Sequence, residues 1–346
     1  MNSNISSAQF TAELPRKRVV VTGGAGFLGS VVVRKLRERG CREITVPRRA
    51  QCDLSRRSDV LHLLNHVQPR VILHLAATVD NPAGSGDAAA SFYNNVLMTT
   101  QLIDAACGRG VEKMLCLGSA SSYPAAAPVP LCEDDLFSGL PEASRVAHGI
   151  AKRLAVVQAQ AYRKQYGFRC IFLIPTNFYG PGDNFDPETS YVIPSLITKF
   201  VEAAETGASE VTLGGSGEPT RDFLHVEDCA EGILRALEAY DQPAPVNLGS
   251  GIEIRIEGLA RKIALLVGYS GRILWDRTRP DGPMRRILDI TRARREFGFE
   301  PKRNLEDGLR ETLDWYRLTL RANGADERAS GAPASCEQVQ TVGSTS

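Results

Sequence analysis

Residues 18–22 (RVVVT) run directly into Gly23-Gly24-Ala25-Gly26-Phe27-Leu28-Gly29, and an amphipathic helical pattern, SVVVRKLRERG, follows at once. No other feature restricts the possible folds as strongly. In such a turn Gly23 permits the tight reversal. Gly26 lets the backbone approach a pyrophosphate, and Gly29 lets the helix pack on the strand. The helix N-terminus then offers unpaired N–H groups and the positive end of its dipole to the same phosphates. A glycine triplet alone is weak evidence. Its place between a β-branched strand and an amphipathic helix is the context that makes it a dinucleotide site, with Phe27 and Leu28 in the turn beside the cofactor.

The rest of the chain repeats that rhythm. Short apolar runs at 43–46, 71–76 (VILHLA), 114–118 (MLCLG) and 170–175 (CIFLIP) alternate with helical patterns at 29–39, 92–108 and 145–166. Strands apolar on both faces belong in a parallel sheet covered by helices on each side. The pattern predicts an α/β fold, a Rossmann-type doubly wound parallel sheet. After residue 175 the rhythm breaks. TNFYGPGDNFDPETSYVIP reads as loop, then helices near 195–205 and 226–240 alternate with strands near 211–213 and 246–250, and the Arg-rich remainder (257–267, 272–276, 291–297, 305–320) reads as mostly helical. A smaller, mostly C-terminal substrate-binding lobe is expected from 176–221 plus 251–325, closing over a cofactor domain of 16–175 plus 222–250. The small, polar ends, 1–15 and 326–346, are expected to be disordered tails.

Composition excludes several classes. With 41 Lys+Arg against 40 Asp+Glu in 346 residues, the net charge of +1 gives no reason to expect nucleic acid or an anionic membrane as partner. No apolar run approaches the roughly 20 residues of a spanning helix, and the start lacks the apolar segment of a secretory signal. The eight cysteines never occur as CxxC and lie scattered through predicted strands and helices. They read as small apolar residues of a reducing, cytoplasmic compartment, with no disulfide framework and no metal site.

The end of the second strand tells which dinucleotide. An NAD(H) site places an acid there, about 20 residues after the glycines, for the ribose hydroxyls. This chain has Val46-Pro47-Arg48-Arg49. A guanidinium such as that of Arg48, with no acid, favours a 2′-phosphate and therefore NADP(H) over NAD(H). Asp53 and Leu54, after a short loop, fall within reach of the adenine.

From the glycine turn onward the chain resembles the extended short-chain dehydrogenase/reductase superfamily and, within it, the GDP-L-fucose synthase family of nucleotide-sugar epimerase-reductases. The resemblance runs over residues 17–320. It rests on TGGAGFLG, HLAAT at 74–78, LGSASSYP at 117–124, AHGIAKR at 147–153, PTNFYGPGDNFDPETSYVIP at 175–194, GSGEPTRDFLHVED at 215–228, VNLGSG at 246–251 and PDGPMRR at 280–286. It implies that Ser119 binds the sugar oxygen at the reacting carbon and that Lys152 holds the nicotinamide ribose. It also implies that Leu75, Ala76 and Ala77 line the cofactor, that Pro175 and Phe178 flank the nicotinamide, and that Asn177 touches cofactor and substrate. Lys199, Arg221 and Arg286 align with positions that hold the substrate diphosphate, for which fixed cations are suited. A homodimer packed through helices 92–108 and 145–166 is implied as well.

Three positions depart from the family. His148 stands where the family has its catalytic Tyr, four residues before Lys152. Tyr191 stands where the family has an acid His, and Ser121 where it has the epimerising Cys, a far better base than a hydroxyl. The exchange is compatible with one imidazole and one phenol kept in the same pocket with roles redistributed, since His titrates near neutrality. It is also compatible with altered or lost epimerisation, or with a degenerate enzyme. The loop at 78–84 (TVDNPAG) departs from the family's glycine-rich form too. The reading is an NADP(H)-dependent nucleotide-sugar epimerase-reductase for a 4-keto-6-deoxy hexose. A non-redox epimerase with tightly bound NAD(P) and a non-catalytic dinucleotide-binding protein are the alternatives.

Overall fold

A computed structural model of the protein describes residues 7–78 and 88–329. Its centre is a six-stranded sheet in the order Val246–Leu248, Cys170–Pro175, Lys113–Leu117, Val71–His74, Val19–Thr22, Ile44–Thr45. Every pairing is parallel. The chain switches direction across the sheet between Val19–Thr22 and Val71–His74, the place where open α/β sheets bind ligands at their strand C-termini.

Alternate strand residues feed opposite faces, as the pleat requires. Val19, Val21, Leu73 and Leu115 enter one core with the helices Phe27–Glu38 and Val226–Ala239. Val20, Ile72, Met114 and Cys116 enter the other, beneath Arg57–Val67, Ala88–Ala106 and Val146–Tyr166. The helix Phe27–Glu38 buries Leu28, Val32, Val33 and Leu36, a single stripe at helical spacing. A third core joins Val192–Thr206 and Ile256–Val267 to Leu309 and Leu313 of the helix Leu305–Ala329, forming the smaller lobe. No helix among the described residues is long and apolar enough to cross a membrane.

Five sequence expectations are corrected. The start is not a bare tail. Residues Ser7–Glu13 form a helix and Leu14–Arg16 a turn, with Phe10 and Leu14 wholly buried in the first core, because two apolar residues four apart suffice to plug a sheet edge. At the other end the helix Leu305–Ala329 passes through 326–329, and residues 330–346 lie outside the described residues. Residues 272–276 form a strand, Arg272–Asp276, paired in parallel with Glu210–Gly214. Its alternation (RILWD) is too short to outweigh the helical stretches around it. Within the supposed loop, Asn177–Tyr179 pairs with Phe223–His225. The lobe boundary moves as well. Ala293, Phe297 and Phe299 pack in the first core rather than in the lobe, and Phe223 packs in the lobe.

Phe10 closes the edge of the sheet opposite the strand C-termini. Lys17 Nζ, Lys113 Nζ and Arg169 Cζ lie 5.5, 5.1 and 5.9 Å from its ring centroid, within cation–π range. Lys113 is buried, and its ammonium donates to the carbonyls of Leu237 and Ala236 at the negative end of the helix Val226–Ala239. Burial pushes its pKa down to about 7. Above that value the unfolded chain, where the lysine titrates normally, binds more protons than the folded one, so stability rises with pH from about 7 upward. Thermal unfolding followed from pH 7 to 9 should show a rising Tm, and Lys113→Met should lose part of that rise.

Candidate functional site

The glycine turn is built by exclusion. Gly23 has φ +72°, and a Cβ there would lie 2.7 Å from the backbone nitrogen of Ala76. A Cβ on Gly29 would lie 2.0 Å from the carbonyl oxygen of Gly23, so helix and turn touch backbone to backbone. Gly26 differs. It is exposed, and a Cβ there would meet only the Gly23 oxygen, at 3.3 Å, leaving its outer side open. Gly26 is also the N-cap of the helix Phe27–Glu38, with no side chain satisfying that end. An open glycine surface over an uncapped helix N-terminus fits a pyrophosphate. Phe27 and Phe178 meet beside it, ring centroids 5.7 Å apart, and Leu75 and Ala76 abut Gly23.

Of the other residues read as cofactor-binding, Arg48 is exposed at the end of the second strand and Ala77 at the end of the third. The Asp53 carboxylate turns onto Ser55, accepting from its nitrogen at 3.0 Å and its hydroxyl at 2.7 Å. Leu54 sits in the second core, leaving only its backbone for a ligand. Pro175 is buried at the end of its strand, and the Asn177 amide donates to the Asp222 carbonyl at 3.4 Å. Residues 79–84 of the TVDNPAG segment lie outside the described residues.

Ser119 leaves the strand Lys113–Leu117 and caps the turn Ala120–Ser122, accepting from the Ser121 nitrogen at 3.2 Å. Its Oγ lies 2.7 Å from Ser121 Oγ. Each hydroxyl has one proton, so when Ser119 donates outward to a ligand oxygen, Ser121 donates to Ser119. Lys152 is buried on the helix Val146–Tyr166, and burial pushes its pKa down to about 8. His148, half-buried in the first turn of that helix, is four residues away and so shares its face. Tyr191 comes from the lobe, as the exposed N-cap residue of Val192–Thr206.

A residue not singled out above supports this arrangement. His74 is buried, with Nδ1 2.7 Å from Thr22 Oγ1 and Nε2 3.0 Å from Thr99 Oγ1. It ties the strand before the glycine turn to the helix Ala88–Ala106. Burial first, and then the Lys152 charge, push its pKa down to about 3, so the ring is neutral. The one polar residue in the apolar run VILH was the available signal.

Arg221 and Arg286 are register partners in neighbouring parallel strands. Arg221 Nη1 donates to the carbonyls of Thr220 and Pro283 at 2.7 and 2.6 Å. Burial, then the Arg286 charge, push its pKa down to about 10. Arg286 has a carboxylate neighbour in Glu142, 3.5 Å away. Two half-buried guanidiniums that repel each other across one sheet face are suited to a ligand of at least two negative charges. Lys199 is exposed on Val192–Thr206, with Arg279 as a cationic neighbour. Neither Glu142 nor Arg279 stood out in the sequence.

This fold and site define a dinucleotide-dependent enzyme of the extended short-chain dehydrogenase/reductase class, and the model of the NAD dependent epimerase/dehydratase family matches residues 19–249. GDP-L-fucose synthase 1 of Arabidopsis thaliana is 39% identical over 300 residues, 86% of this chain and 93% of that protein. GDP-L-fucose synthase of Escherichia coli (strain K12) is 35% identical over 313 residues, 88% and 97% respectively. Among solved structures, a GDP-L-fucose synthetase from Naegleria fowleri bound to NADP superposes with a TM-score of 0.80 at 25% identity, over 88% of this chain and 94% of that one. The chain belongs to the NAD dependent epimerase/dehydratase family and, within it, to the GDP-L-fucose synthase family.

The geometry separates two glycine substitutions. Gly26→Ala should weaken NADPH binding at least tenfold, read by fluorescence titration, while leaving Tm near wild type. Gly29→Ala should lower both, because its Cβ would meet backbone.

Proposed function

We propose that the protein is an NADP(H)-dependent epimerase-reductase that converts a GDP-linked 4-keto-6-deoxy hexose into a 6-deoxy sugar nucleotide. The observation that carries this reading is the juxtaposition, at the strand C-termini, of the open glycine cradle, the paired hydroxyls of Ser119 and Ser121, and a buried Lys152. The relatives' names favour guanine as the base and NADP as the coenzyme.

When bound, the reduced nicotinamide supplies a hydride to the sugar C4. The protein supplies the rest. Gly23, Gly26 and Gly29 with the helix N-terminus bind the pyrophosphate, and Arg48 binds the 2′-phosphate. Ser119 donates to the C4 oxygen while Ser121 donates to Ser119, a two-hydroxyl chain that compensates the alkoxide charge as it develops. His148 delivers the proton that the C4 oxygen takes up, and Lys152 holds the ribose and keeps a positive charge beneath the site. For inversion at the carbons flanking the ketone, Ser121, at the position of the family's base, takes the proton from one face and Tyr191, brought by the lobe, returns one to the other. Arg221, Arg286 and Lys199 bind the diphosphate, and Asn177 orients both ligands.

Mixing the protein with NADPH and GDP-4-keto-6-deoxymannose in deuterated buffer tests this. Coenzyme oxidation with solvent deuterium at the carbons flanking C4 is expected, and the absence of both signals would sink the proposal. The Lys152 pKa of about 8 sets the pH dependence. Loss of its proton removes the charge under the site, so kcat/KM for the coenzyme should fall as pH rises through about 8, whereas Lys152→Met should be slow and flat there.

The same reading includes a homodimer. Leu154, Val157 and Tyr166 on the helix Val146–Tyr166 and Tyr93 on Ala88–Ala106 are exposed apolar residues on two helices that pack side by side. Light scattering of the wild type should give a dimer, and Leu154→Glu with Val157→Glu a monomer.

A further inference from the structure

The helix Val146–Tyr166 meets the Ser119–Ser122 turn through two residues that no role above uses. Gly149 is buried inside the helix, where glycine is destabilising relative to alanine. Its missing side chain has a local reason. A Cβ there would lie 2.7 Å from the Ser121 carbonyl oxygen and 2.8 Å from Cγ of Pro141, so the helix backbone rests directly on the turn. One helical turn on, Arg153 is 6% exposed. Its Nε donates to the Ser122 carbonyl at 2.6 Å, and its Nη1 to the Gly139 carbonyl at 2.5 Å. The Phe137 ring lies over the guanidinium, 5.8 Å from Cζ. A buried cation is spent here on two neutral carbonyls, one of them in the turn that carries the hydroxyl pair.

Each seam residue directly follows a residue assigned to the chemistry: 148 before 149, and 152 before 153. The Ser121 carbonyl that Gly149 packs against and the Ser122 carbonyl that Arg153 bonds belong to the segment bearing Ser119 and Ser121. The seam therefore sets the distance between the imidazole and lysine on one side and the two hydroxyls on the other. An imidazole nitrogen extends less far from its Cα than a phenol oxygen, so a histidine at 148 needs the helix closer to the turn than a tyrosine would.

We infer that Gly149 and Arg153 are positioning residues that draw the helix onto the Ser119–Ser122 turn, so that the short side chain of His148 reaches the oxygen held by Ser119. The inference rests on His148 acting as the proton donor.

The test is a double-mutant cycle on the full-length protein, assayed with NADPH and GDP-4-keto-6-deoxymannose. Gly149→Ala should lower kcat about 100-fold, the penalty for roughly 1 Å of misplacement, with KM for both ligands within about twofold of wild type. In a His148→Tyr background the longer phenol needs the wider gap, so adding Gly149→Ala should leave kcat unchanged or raise it. Arg153→Lys keeps the cation but fewer directed donors. It should lower kcat about tenfold, the size of one lost hydrogen bond to a charged group, at unchanged NADPH affinity. This variant stands in if Gly149→Ala fails to fold. Equal losses from Gly149→Ala in both backgrounds, or no loss from either seam variant while His148→Phe is inactive, would overturn the seam alone. A fully active His148→Phe would overturn the donor assignment and the seam with it.

Discussion

The structure depends on a backbone-to-backbone contact that only glycine permits. With a Cβ of Gly29 excluded by the Gly23 oxygen at 2.0 Å, the first helix sits flush against the turn that ends the first strand. Everything in the cofactor half follows from that seating. The helix N-terminus points across the strand ends, Gly26 is left open above it, and Leu75 and Ala76, just past the third strand, close the other side. A bulkier residue would lift the helix away from the sheet and swing its dipole off the phosphates.

The second constraint is dryness beneath the reacting groups. Lys152 and His74 are both buried: the lysine's charge helps keep the imidazole neutral, and the neutral imidazole is satisfied by Thr22 and Thr99. Two uncharged hydrogen bonds thereby hold the glycine turn's strand to the helix behind it, without placing a second charge near the lysine. The lysine in turn is left with a desolvated ammonium, the state that interacts most strongly with an oxygen brought near it.

The lobe works by the opposite principle. Arg221 and Arg286 are placed side by side in register, a repulsive arrangement, with Glu142 offering partial relief. Under the proposed function, such a pair binds a dianion with planar, directed donors. Tyr191, at the start of the helix Val192–Thr206, belongs to this lobe as well.

The alternation of apolar runs and helical patterns determined the parallel sheet, since strands buried on both faces leave that signature locally. The glycine spacing determined the cofactor turn because backbone freedom is a property of single residues. Ser119 and Lys152 were legible only through resemblance to a family, for nothing in a lone serine or lysine distinguishes it from a surface one. Tertiary structure alone decided the rest. Phe10, within a polar stretch of sequence, is a core residue because groups from positions far apart in the chain, Lys113 and Arg169 among them, enclose its ring. Arg272–Asp276 is a strand because Glu210–Gly214 lies beside it, and Gly149 and Arg153 matter because a turn from another strand rests on them. These are contacts between distant segments, and periodicity within a short window carries no record of what lies across the gap.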